Sequence, residues 1–290
     1  MSKKVWNIVG KTIFWCAVVA FFVAAGLLRS RKESERTVES VEVIVKDADE
    51  MGFITPEIVL GIIESEGLNP IGMSVESVDL ARINSAVEEY SFTERAITYI
   101  DYSGKLSVEV SQRKPIVRIC TDEGYDFYLT RGLYVLPVQG HAKVDVPIVT
   151  GSASMPFAKG FEGAAKEWYD GSKKNHPENY NFLLKLTNFV TFTEQDEWLR
   201  GKVVQIVLTT PQATSSQKGY CEPKVEVVPR EGGYVVALGR LEEVEAKVER
   251  WRKFAEAKVV DMNGGRLNVE YEGQALWQAP QPKAKKNQKK

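Results

Sequence analysis

The sequence predicts an α+β protein: a single N-terminal transmembrane helix, a small βααββ domain, then a larger mixed domain rich in β-strands. Three observations carry this. Residues 12–28, TIFWCAVVAFFVAAGLL, are apolar throughout. Residues 41–110 run from an alternating stretch through two amphipathic helical patterns and back to two alternating stretches. Beyond Pro115, strand-like segments separated by Gly and Pro outnumber helical ones.

The apolar run comes first. Residues 1–11 are short and basic, with Lys3, Lys4 and Lys11. Residues 12–28 would reach about 26 Å as a helix, against a hydrocarbon core of about 30 Å. Extension back to Ile8, with Lys11 snorkelling to the interface, gives about 31 Å. A cleaved signal peptide is the competing reading, since Val23-Ala24-Ala25 before Gly26 fits a small-residue cleavage rule. The run continues through Leu27 and Leu28 to Arg29, Arg31 and Lys32, which favours an uncleaved anchor. Both flanks are basic, so charge alone does not set the orientation. Residues 29–37 read as a charged linker.

The small domain follows over residues 38–114. Residues 41–45 alternate as a strand. Thr55-Pro56-Glu57 is a helix start: a hydroxyl at the N-cap, proline at N1 and an acid in the first turn. Ile58, Val59, Ile62 and Ile63 form one stripe, closed by Gly67. A second helix is expected from a Ser77 cap, with Leu80, Ile83 and Val87 on one face. Strands at 96–100 and 106–110 flank a turn at Ser103-Gly104. Leu106, Val108 and Val110 alternate with Ser107, Glu109 and Ser111. Pro115 donates no ladder hydrogen bond, so one strand ends before it and another begins with Ile116-Val117-Arg118-Ile119.

Residues 115–277 form the larger domain. Strands are expected at 126–130 and 133–136 around Arg131-Gly132, and again at 147–151. Residues 151–175, rich in Gly, Ser and Lys, read as irregular. Phe182, Leu183, Leu186, Phe189 and Val190 mark a helical face over 177–190. Residues 225–228 and 234–238 read as a hairpin around Glu231-Gly232-Gly233. Leu241, Val244, Val248, Trp251 and Ala255 mark a last helix, followed by Asn263-Gly264-Gly265 and one strand over 267–277. Residues 278–290, with Pro280 and Pro282, read as a disordered basic tail.

Length and charge bound the function. With 290 residues, 43% hydrophobic and 27% charged, the chain can bury a sizeable core. A net charge of -1 argues against a general nucleic-acid surface. Five lysines (Lys283, Lys285, Lys286, Lys289, Lys290) crowd the tail, so removing them leaves the rest at about -6. They would suit acidic lipid or an anionic polymer, and the plain expectation is that they touch nothing. Cys16 lies in the apolar run; Cys120 and Cys221 could bridge in an extracytoplasmic domain, or stand as two separate buried thiols.

Catalytic patterns are missing from the sequence. It contains no phosphate-binding glycine loop and no G-x-S-x-G. Ser111-Gln112-Arg113-Lys114 matches S-x-x-K, but that chemistry needs Ser and Lys one helical turn apart, and this stretch is strand followed by proline. His141 and His176, even with Cys120 and Cys221, lack metal-ligand spacing. Glu88-Glu89 and Glu242-Glu243 sit on solvated helical faces. The reading is a protein without catalytic site, metal or cofactor.

The residues around the junction carry a resemblance. Residues 107–119, SVEVSQRKPIVRI, resemble the end of the POTRA module and the start of the β-domain in the bacterial cell-division family FtsQ/DivIB. Gln112 stands where that family often has Glu, and Val117 where it often has Ala. The βααββ order over 38–114 is the POTRA order. Residues 146–151, VPIVTG, and 198–207, WLRGKVVQIV, are similar to further family segments, particularly in Bacteroidetes-like members. Residues 267–277, LNVEYEGQALW, resemble the family's closing strand, with Glu270 in place of a common basic residue.

The resemblance implies a non-catalytic division scaffold in the inner membrane at the septum. Its short N-terminus would be cytoplasmic and its large C-terminal part periplasmic. It also implies an open sheet edge at the last strands, onto which a partner resembling FtsB adds a strand, next to a coiled coil with one resembling FtsL. Other septal proteins would meet the POTRA-like domain. The implied partner-binding residues are Glu270, Tyr271, Gly273, Leu276 and Trp277; alternatively, Tyr271 and Trp277 only pack the sheet. Gln112, Arg113, Lys114 and Arg118 read either as a patch for an anionic partner or as a solvated linker. Two other functions stand beside the scaffold: a POTRA-containing envelope assembly or secretion factor, and a membrane-anchored regulator of cell-wall enzymes. The first would need further repeats and a C-terminal barrel.

Overall fold

Backbone contacts divide the chain into two units, Met1–Asp49 with Ile54–Gln112, and Glu50–Phe53 with Arg113–Lys290. The computed structural model describes residues 13–24, 36–140, 144–168, 177–210 and 220–280. Residues 13–24 are helical (α1), with apolar side chains such as Phe21 and Phe22 exposed. They rise about 18 Å. Among the described residues no helix is long and apolar enough to cross a membrane. Residues 12 and 25–28 of the expected span lie outside the described residues.

In the first unit, alternation makes strand β1 (Ser40–Val45), whose burial alternates along its length. Helix α2 (Pro56–Ser65) starts as its residues dictate, with extended Thr55 at the N-cap, Pro56 first and Glu57 in the first turn. Helix α3 (Leu80–Glu88) is capped by Asp79, whose carboxylate accepts the Arg82 amide at 3.0 Å. The expected Ser77 cap is not used. Ser77 ends a 3-10 turn, Val75–Ser77, and its hydroxyl donates to the Ser74 carbonyl at 2.7 Å. Strand β3 (Lys105–Gln112) is central, antiparallel to β2 (Thr93–Ile100) and parallel to β1. Val59, Ile63, Ile83 and Val87 of the helices are buried, as are Leu106, Val108 and Val110 of β3.

The end of β3 holds a polar clamp. Gln112 is fully buried. Its carboxamide oxygen accepts the Ile54 amide at 2.8 Å, and its nitrogen donates to the Asp47 carbonyl at 3.0 Å. One neutral side chain thus satisfies both a donor and an acceptor of the loop between β1 and α2. A carboxylate there could serve the amide but would repel the carbonyl. Gln112→Glu is therefore predicted to lower stability by about 1–3 kcal/mol at pH 7. The loss shrinks as pH falls toward about 4, because the protonated acid can again donate to Asp47. Denaturant midpoints of both proteins at the two pH values check this.

Among the described residues, the second unit is built on a ten-stranded sheet. Its strands are β4 (Pro115–Cys120), β5 (Asp126–Thr130), β6 (Tyr134–Pro137), β7 (Ile148–Gly151), β8 (Gly163–Ala164), β9 (Val203–Thr209), β10 (Lys224–Pro229), β11 (Val235–Gly239), β12 (Arg266–Asn268) and β13 (Leu276–Gln278). The order is β13-β12-β11-β10-β9-β7-β4-β5-β6-β8. Parallel pairs β4-β7 and β7-β9 form the middle, with antiparallel pairs on both sides and one more parallel pair at β11-β12. Helices α5 (Pro177–Gln195) and α6 (Val244–Ala257) bury Phe182, Leu186, Phe189, Val248 and Trp251 in one core with Ile119, Leu129, Val149, Ile206, Val227 and Val236 of the strands. The Trp251 indole donates to the Tyr234 hydroxyl at 3.0 Å.

Several expectations change here. Residues 267–277 are not one strand: β12 and β13 pair antiparallel, and a turn through Gly273 (φ +68°) separates them. Residues 151–175 include β8 and a short helix α4 (Ala165–Trp168), while residues 169–176 lie outside the described residues. The basic junction residues are engaged by their neighbours. Arg113 lies over the Tyr134 ring at 3.7 Å, Lys114 pairs with Glu50 at 2.7 Å, and Arg118 grips Asp126 with two bonds of 2.9 Å. Cys120 is exposed and Cys221 half-buried, both free thiols, so neither of the two is buried as expected.

A carboxylate node fixes the passage from α5 to β9. Asp196 accepts the Trp198 and Leu199 amides at 2.9 Å each and the Arg252 guanidinium at 2.8 Å. Burial pushes its pKa up, but the Leu199 amide, Arg252 and the Trp198 amide together hold it below the ordinary carboxylate value. A depressed folded pKa adds stability that is fully present above the unfolded value of about 3.9 and is lost as pH falls through the folded value. Asp196→Asn is predicted to cost about 1–3 kcal/mol at pH 7. In denaturant titrations, its gap to wild type should close on acidification below about pH 4.

Candidate functional site

The sheet of the second unit ends at β13, a three-residue strand paired only with β12 among the described residues. Their register is Arg266 to Gln278, Leu267 to Trp277 and Asn268 to Leu276. Two strands of this length hold little by backbone pairing alone, so side chains must fix the hairpin.

Trp277 does this. Its indole packs on Phe254 of α6, with centroids 6.0 Å apart and planes tilted by 30°. It also lies so close over Gly265 that any β-carbon there would collide with the ring. Glycine at 265 is thus a requirement of the indole's position. Arg266 pairs with Glu226 of β10 at 2.5 Å, which ties β12 into the sheet from its other face neighbours.

The five residues expected to contact a partner therefore divide. Leu276 (47%) and Tyr271 (54%) are exposed, Leu276 on the edge strand itself and Tyr271 in the turn that precedes it. Gly273 supplies the left-handed residue of that turn. Trp277 is half-buried and faces the core. Glu270 is turned toward the sheet: its amide donates to the Asn268 side chain at 2.9 Å, and its carboxylate takes Lys224 Nζ at 2.8 and 3.1 Å. For Trp277 the packing alternative fits; for Tyr271 it does not. Sequence reasoning passed over Phe254 and the role of Gly265. Phe254 lies three residues after Trp251, a helical neighbour spacing that could have flagged it.

Among the described residues no group of three or more His, Cys, Asp or Glu is placed to hold a metal ion. His141 and His176 lie outside the described residues.

These features define a class, a βααββ module followed by a mixed sheet that ends, among the described residues, at β13. Comparison with known families gives the same division. Residues 36–111 match the POTRA-like domain, and residues 114–276, more than half of the chain, match the family described as FtsQ/DivIB, C-terminal related. No curated protein matches the chain. The chain belongs to the FtsQ/DivIB family of cell-division proteins, whose members are non-enzymatic.

Gly265→Ala is predicted to push the indole off Phe254 and to loosen β13, costing about 1–3 kcal/mol. Faster amide exchange at residues 276–278, with little change at β9 and β10, is the expected signature.

Proposed function

We propose that this protein is a scaffold of the division machinery. In this reading residues 12–28 anchor it in the inner membrane at the septum, and both units lie on the periplasmic side. Its β13 edge receives a strand from a partner resembling FtsB, beside a coiled coil with one resembling FtsL, while the POTRA-like unit meets other septal proteins. Domain bounds of 38–114 and 115–277 belong to the same proposal.

The observation that carries it is the open edge at β13 with exposed Leu276 and Tyr271 beside it. An edge strand offers backbone donors and acceptors to an extended segment, and flanking apolar side chains supply much of the contact energy. Trp277 acts beneath, by holding the edge in place.

The test is titration of the full chain with the coiled-coil septal partners of the same cell. Leu276→Ala and Tyr271→Ala should each weaken binding by about ten-fold without a change in folding. Trp277→Ala should weaken binding and also destabilise the hairpin. Binding untouched by all three changes would refute the edge; no binding by the folded wild type would refute the scaffold.

A further inference from the structure

The first unit carries an exposed apolar surface of its own, at the end where the chain enters it. Among the described residues from 36 to 112, the three most exposed large hydrophobic side chains are Tyr102 (92%), Ile71 (57%) and Met73 (42%). Tyr102 lies in the turn between β2 and β3, and Ile71 and Met73 lie in the loop after α2. The two segments are distant in the chain, yet both are bound to the same four residues, 36–39. A single exposed apolar group is ordinary, but three gathered at one end mark a contact surface.

Hydrogen bonds hold these side chains in place. The Val38 amide donates to the Met73 carbonyl at 2.9 Å, the Gly72 amide to the Val38 carbonyl at 2.8 Å, and the Val75 amide to the Arg36 carbonyl at 2.9 Å. On the other side, the Glu39 amide donates to the Gly104 carbonyl at 2.9 Å. The Arg36 guanidinium donates to the Asp101 carbonyl at 2.7 Å and lies over the Tyr102 ring at 5.8 Å. Val38 and Pro70 are buried beneath. Both loops are thus pinned from inside while Ile71, Met73 and Tyr102 stay in solvent.

The position of this end in the chain names its occupant. Residues 36–39 follow the apolar run 12–28, and nine residues from Leu28 to Thr37 reach at most about 31 Å. With that run in a bilayer, this end of the first unit stays close to lipid. Tethering makes the contact intramolecular, so a small apolar area suffices. The residue types suit the interface: aliphatic tips for the acyl boundary, a tyrosine for the headgroup layer, and an arginine able to snorkel past it. Charge is not the force, because Glu39 and Glu76 are exposed beside the same loops.

We propose that the Ile71–Met73 loop and the Tyr102 turn dip into the surface of the bilayer that holds residues 12–28. The proposal rests on the reading of that run as a membrane anchor. Strands β1 and β3 start at this end and run away from it; the eight residues of β3 span about 26 Å, so Gln112 is held clear of the lipid. The contact sets the direction in which the first unit stands, where the anchor alone sets only its place.

The test uses the full chain in nanodiscs of zwitterionic phosphatidylcholine doped with a nitroxide-bearing lipid. Cys16→Ala, Cys120→Ser and Cys221→Ser remove the free thiols. Single cysteines then carry an environment-sensitive fluorophore: Ile71→Cys, Tyr102→Cys, Glu89→Cys at the far end beside the start of β2, and Val19→Cys in the apolar run. Labels at 71 and 102 should be quenched at least about two-fold more than the label at 89, and equally at about 0.5 M salt. Ile71→Glu with Met73→Glu, both at exposed positions and checked by a thermal melt, should abolish quenching at 102. If label 19 is quenched while 71 and 102 match 89, the anchor stands and the proposal falls, leaving the surface to a protein partner. If label 19 is not quenched, the anchor reading fails and takes the proposal with it. Quenching at 102 that survives the double glutamate change would reflect tethering alone, and quenching lost at high salt would reflect charge; either overturns the apolar contact.

Discussion

The seat of the Trp277 indole between Phe254 and Gly265 is what holds the last hairpin of the large sheet in place. Strand β13 has three residues and one described neighbour, so its backbone pairing alone holds it weakly. The indole adds the buried area that the ladder lacks, and its place exists because residue 265 has no side chain. Helix α6 is positioned in turn by Trp251, whose buried indole donates to Tyr234. From core to edge, the same helix carries both tryptophan contacts.

Charge in the second unit is arranged to fix elements. Asp196 joins two amides and Arg252, Glu270 just past β12 takes Lys224 of β10, and Arg118 of β4 reaches Asp126 of β5. Even Lys247, buried on α6, is satisfied by the Arg240 carbonyl at 2.6 Å, and burial lowers its pKa. A sheet whose middle is parallel and whose flanks are antiparallel needs such cross-links, because its short outer strands contribute few ladder bonds.

The two ends of that sheet differ in kind. At β13 the exposed groups belong to the strand edge and its turn, which suits pairing with an extended backbone. Beyond β5 and β6 the last strand, β8, has two residues, and Phe127, Phe157, Phe161 and Trp168 form a chain of ring contacts from the core outward.

Much of the fold was legible in the residues themselves. Alternation in 106–110, the Thr55-Pro56-Glu57 start and the Pro115 break are local signals, and local propensity decided them. The cap of α3 was missed by two residues because Ser77 found a nearer carbonyl and Asp79 fitted the amide. The end of the chain was misread more seriously. Alternation over 267–277 looks like one strand, yet a left-handed glycine and the parallel pairing of β12 with β11 break it into a hairpin. Sequence alone determined which residues near the C-terminus are aromatic and which are apolar. Only the tertiary structure decided that Trp277 turns inward while Leu276 and Tyr271 face out. The side to which a residue points depends on the strand laid beside it and the helix beneath, and neither lies nearby in the chain.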